Sequence, residues 1–74
     1  GGGPTISAAD ARAAACAAAW RKYPALRDVQ PTARMEGDAR VFTFKAPRGA
    51  APVSLIVRVT IEADGTVRRI VAGR

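Results

Sequence analysis

Seventy-four residues make one domain at most, and a chain this short buries only about 60–65% of the surface its unfolded form exposes, which leaves little room for an enclosed active site. The apolar share of 49% is ordinary, yet much of it is alanine, so the core must come from a few Val, Ile, Leu, Phe and Trp side chains, and oligomerisation would help it. The formal charge of +6 admits a polyanion as partner, while the lack of histidine and the single cysteine argue against acid–base catalysis, an intrachain disulfide and a cysteine metal cluster.

Gly1-Gly2-Gly3-Pro4 reads as part of a flexible leader over residues 1–5, either a cloning remnant or the linker behind a removed signal or lipid-anchor segment, with a single domain over 6–74. Ser7 then offers a helix cap with Asp10 three residues on and Ile6 before it in the position of a hydrophobic staple. The alanine-rich run predicts a helix to about Lys22, because alanine is the best helix former, and Pro24 stops it at Tyr23. Its expected sheet-facing stripe is Ala9, Ala13, Cys16, Ala17 and Trp20, with Tyr23 just beyond.

Leu26 follows as a plug in a connector, and a weak strand is expected over 29–36, marked as an edge by Pro31. Gly37-Asp38 marks a turn, and Arg40 to Ala46 is a clear strand whose Phe42 and Phe44 share a face. Residues 47–52 form a loop between Pro47 and Pro52. From Val53 the alternation is strict: Val53, Leu55, Val57, Val59 and Ile61 on one face, Ser54, Arg58, Thr60 and Glu62 on the other, with only Ile56 interrupting the polar side. Glu62 to Thr66 suits a type I turn with Gly65 in the left-handed position, and Val67 to Val71 returns antiparallel. The expected fold is α+β, one N-terminal helix packed on a three- to four-stranded antiparallel meander.

Few residues carry chemistry. Asp10, Glu36, Asp38 and Asp64 have cap or turn roles, no acid pair is visible, and no cofactor or metal is expected. Cys16 sits among alanines as a small buried apolar residue. The arginines are dispersed, in keeping with a solvated surface, although a DNA or RNA partner held by them stays open. Phe42 and Phe44 have the spacing of a base-stacking pair, but a core this poor in large side chains claims them.

The outer face of the last hairpin is the candidate partner-binding surface. Counting back from Glu62 opposite Thr66, Thr60 faces Arg68, Arg58 faces Ile70, and Arg69 falls opposite Val59 on the core face. The patch is then Ile56, Arg58, Thr60, Arg68 and Ile70, apolar spots among cations that suit a protein partner or a second copy of the chain.

The helix opening at Ile6-Ser7-Ala8-Ala9-Asp10-Ala11, then Tyr23-Pro24-Ala25-Leu26, Arg40 to Phe44, and Val57 to Val67 with its Asp64-Gly65 turn, resemble a PepSY-type domain over nearly the whole chain after Pro4. The Asp64-Gly65 hairpin also resembles the C-terminal strands of TonB-like energy transducers. The resemblance implies an extracytoplasmic, non-enzymatic module that binds a protein partner or regulates a peptidase as inhibitor or propeptide, with no catalytic residues to carry over. The expected function is therefore protein interaction through the sheet face or an edge strand, with secretion or lipid anchoring implied by the family.

Overall fold

The computed structural model describes residues 5–46 and 55–73. Residues 1–4 of the expected 1–5 leader, the expected loop at 47–52 and the head of the strand expected from Val53 lie outside the described residues. The chain order is α1 (Ala8–Lys22), a short 3-10 turn (Pro24–Leu26), β1 (Thr32–Glu36), β2 (Ala39–Lys45), β3 (Ile56–Ile61) and β4 (Val67–Gly73). The four strands make one antiparallel sheet in the order β1-β2-β3-β4, and α1 packs across β2, β3 and β4 on one face. No helix among the described residues is long and apolar enough to cross a membrane.

α1 begins as the sequence predicts. Ser7 is extended, and its Oγ accepts the Asp10 amide at 3.1 Å, which satisfies one of the donors a helix N-terminus leaves free. Arg21 and Lys22 occupy the last turn, where they complement the helix dipole. Tyr23 closes the helix by donating its amide to the Ala19 carbonyl at 2.7 Å, and Pro24 starts the 3-10 turn that drives Leu26 fully into the core.

The buried face of α1 differs from the expected one. Ala11, Ala15, Cys16 and Ala19 are buried, with Ala14 and Trp20 partly so, whereas Ala9, Ala13 and Ala17 are exposed. Cys16 and Trp20 were on the expected stripe, but the alanines were not. With alanine on most positions around the helix, the apolar pattern does not single out a face, so packing against the sheet chooses it. The chosen row Ala11, Ala15, Ala19 presents only methyl groups and brings the helix backbone close to the strands.

The core face of the sheet is supplied by Phe42 and Phe44 of β2 and Val57, Val59 and Ile61 of β3, all at most 2% exposed. Phe42 stands opposite Val59 and Phe44 opposite Val57, aromatic–β-branched pairs that stabilise a sheet by about 0.2–1 kcal/mol each. β1 is shorter than expected and starts at Thr32, because Pro31 has no amide hydrogen to contribute to a ladder; Val29 packs on the core instead. β1 and β2 join through Gly37-Asp38, with Glu36 opposite Ala39 and Gly37 at φ +64°, the glycine-first form of a two-residue turn.

The β3–β4 turn forms as read: Gly65 is at φ +95° and donates to the Glu62 carbonyl at 2.9 Å, while the Glu62 amide donates to the Thr66 carbonyl at 2.8 Å. Ile61 is opposite Val67, and there the expected register ends. A bulge between Thr60 and Ile61 leaves Arg68 as the additional residue of β4, so Thr60 pairs with Arg69, Val59 with Ile70 and Arg58 with Val71. One inserted residue moves every later side chain to the other face. The physical gain is direct: Ile70 joins the core, and Arg69, expected on the core face, stands in water.

Candidate functional site

The face of the sheet turned away from α1 carries the candidate site, and the ladders determine its layout. One row crosses the strands as Thr32, Thr43, Arg58 and Val71; the next runs Arg34, Val41, Thr60 and Arg69; Lys45 and Ile56 stand side by side beyond Arg58. The central members, Val41 and Thr60, are 4% and 7% exposed, while the cations around them are solvated. Among the described residues no second layer covers this face, and long arginine stems beside short central residues are able to shield its middle from water.

Of the five residues expected to form the patch, Ile56, Arg58 and Thr60 do lie together on this face. Ile70 does not: the bulge turns it toward α1, where it packs on the core. Arg68 does not join them either, since it is the bulge residue and its Nε donates to Glu62 Oε1 at 3.1 Å. Arg69 and Val71 take their places, and Lys45 and Thr43 extend the surface onto β2. A single-residue bulge has no signature in this stretch, although the run Val67-Arg68-Arg69-Ile70 shows that strict alternation from Glu62 would bury a charge.

The face is basic. Arg34, Lys45, Arg58 and Arg69 are its cations and Glu36 its acid, which lies 3.5 Å from Arg34 in a solvated pair worth little. Neither Arg58 nor Arg69 is in an ion pair among the described residues. They stand diagonally across β3 and β4, a relation that sets residues about 7–8 Å apart with their Cβ atoms somewhat closer. Val71, 47% exposed, and half-buried Ile56 flank Arg58 as apolar contacts.

The other reactive groups have settled roles. Cys16 is 8% exposed, and burial pushes its thiol up from the ordinary 9.0 while the Arg12 guanidinium, by charge and hydrogen bond, pulls against it. Thr66 holds the Asp64 carboxyl below its ordinary value by donating its amide at 2.9 Å. Among the described residues no group of three His, Cys, Asp or Glu side chains is placed to hold a metal ion. No family model, curated protein or solved structure matches this chain significantly.

Proposed function

We propose that this chain is a non-enzymatic protein-interaction module that takes an acidic segment of a partner across the open face of its sheet. The observation that carries the reading is the Arg58–Arg69 diagonal, two cations free of ion pairs among the described residues and flanked by Ile56 and Val71. Cations interleaved with apolar spots give both electrostatic steering and a desolvated centre, the combination a protein surface needs for a specific partner. Three of the six acids, Asp64, Glu62 and Glu36, are engaged with Thr66, Arg68 and Arg34 respectively, in keeping with a binding role. The helix-then-four-strand order agrees with the arrangement a PepSY-type resemblance implies, which favours a regulatory module of the cell envelope.

Nucleic acid is the competing occupant, and one observation weighs against a base-stacking mode: Phe42 and Phe44 are 2% and 0% exposed on the helix side, so neither aromatic is available to a base. Fluorescence anisotropy with an alternating Glu/Val dodecapeptide, its Ser/Val counterpart and a DNA duplex of equal charge separates the readings. Binding of the acidic peptide, weakened at least about tenfold in the double variant Arg58→Glu/Arg69→Glu, is the expected result. Equal binding of the acidic and neutral peptides would sink the proposal, and DNA bound much more tightly than the peptide would transfer the face to a polyanion.

A further inference from the structure

We propose a second binding site on the opposite side of the sheet, independent of the outer face: a cleft between the start of α1 and β1 that receives the free C-terminal carboxylate of an extended peptide. The cleft exists because α1 lies over β2, β3 and β4 and, among the described residues, leaves the helix side of β1 largely open; Met35, on that side, is 56% exposed. Its volume is about 340 Å³, at the lower end of the range for small-ligand sites, enough for a terminal residue and not for a large cofactor.

Its lining is apolar with two exceptions. Phe42 and Ala33, directly opposite each other on β2 and β1, contribute the sheet side, while Ala8, Ala9 and Pro31 contribute methyl and ring surface. The exceptions are Arg12 of α1 and Arg40 of β2. Arg12 is held by Gln30, whose Oε1 accepts from its Nη2, and also faces the Cys16 thiol, which together engage part of the five-donor set of its guanidinium. Arg40 makes no side-chain hydrogen bond among the described residues. Ala8 and Ala9 are also the first two helical residues, whose amides have no carbonyl partner within the helix, and the Ser7 side chain caps the Asp10 amide instead of theirs. Two guanidiniums and the positive end of a helix thus meet at an apolar cleft, and the matching ligand is one anion carried on an apolar group. A carboxylate suits the planar fork of arginine.

The neighbouring edge points to a peptide as the carrier. All five residues of β1 are exposed, among the described residues only β2 pairs with it and so one edge is left open, and a segment added antiparallel to β1 runs from Glu36 toward Thr32. Pro31 ends the pairing there, beside Gln30 and Arg12, so the last residue of the segment arrives at the cleft with its carboxylate toward Arg12 and its side chain on the Ala33 side of the lining.

The test is fluorescence anisotropy of the whole chain with an N-terminally labelled Thr/Val hexapeptide ending in valine, as the free acid and as the C-terminal amide, with decanoate as competitor. The free acid should bind at least about tenfold more tightly than the amide, Arg12→Ala should remove most of that difference and Arg40→Ala a smaller part of it, and Arg58→Glu should not. Amide resonances of Ala8, Ala9 and Ala33 should shift on titration of the unaltered chain, which reads the site without any variant. Equal binding of acid and amide, or equal sensitivity to Arg58→Glu, overturns the proposal. Decanoate binding in the absence of peptide binding overturns the peptide and leaves a carboxylate-bearing lipid as occupant.

Discussion

Ile6 lies against Gly65: a Cβ added at Gly65 would meet Ile6 Cδ1 at 3.2 Å and Cγ2 at 3.5 Å. The Ile6 amide also donates to the Ala63 carbonyl at 2.9 Å, so the approach to α1 is docked on the β3–β4 turn. Gly65 is required twice, for its φ of +95° and for this close approach. Gly65→Ala should destabilise the fold by about 1–2 kcal/mol from backbone conformation alone, with a steric addition that Ile6→Ala partly relieves. Urea denaturation of the two single variants and the double variant checks this, and strictly additive effects would show that the two residues are not coupled.

The bulge at Arg68 makes a sharp prediction for two adjacent residues. Ile70 packs on the core and Val71 lies 47% exposed on the other face. Ile70→Ala should cost about 1–2 kcal/mol and Val71→Ala less than about 0.5 kcal/mol. Without the bulge the order reverses, so thermal unfolding of the pair decides the register.

Asp64 makes stability depend on pH at the acid end. The Thr66 amide, and then its hydroxyl, stabilise the ionised carboxylate and hold its pKa below the ordinary 3.8. A depressed carboxylate contributes stability that is present above the unfolded value and lost as pH falls through the folded one. Asp64→Asn should therefore be less stable than the parent above pH 3.8 and lose that difference on further acidification. A constant difference from neutral pH down to strong acid would contradict the role given to the Thr66 hydrogen bonds.

Trp20 fills space beside the core, yet its buried Nε1 has no hydrogen-bond partner among the described residues. An unmade buried hydrogen bond costs about 1–3 kcal/mol, which offsets part of what the large ring contributes. Trp20→Phe should then fall within about 0.5 kcal/mol of the parent, because it deletes the donor together with some packing. A loss above about 2 kcal/mol would mean that the indole nitrogen is satisfied in solution.

Four local signals with a physical cost made their elements legible, while Pro31, placed inside the expected 29–36 strand, instead fixed its start at Thr32. Ser7, Pro24, Gly37 and Gly65 each mark a boundary because a free amide, a missing amide or a positive φ admits few alternatives. Phe42, Phe44, Val57, Val59 and Ile61 were legible as core through period-two alternation. The candidate site was legible in part: Ile56, Arg58 and Thr60 precede the bulge and kept their face, whereas Arg68 and Ile70 lie at or beyond it and did not. The Arg12–Arg40 cleft has no sequence signal, since its residues come from a helix, a connector and two strands.

By itself the sequence determined the order of helix and strands, the turns at 37–38 and 62–66 and the residues of the central core, because backbone preferences and strict alternation act over a few residues. Two things were decided only by tertiary structure. The rotation of α1 was open because nearly every face offered alanine, and the sheet selected Ala11, Ala15 and Ala19. The face of β4 was open because an odd insertion at Arg68 costs one ladder position, and burying Ile70 while hydrating Arg69 outweighs it.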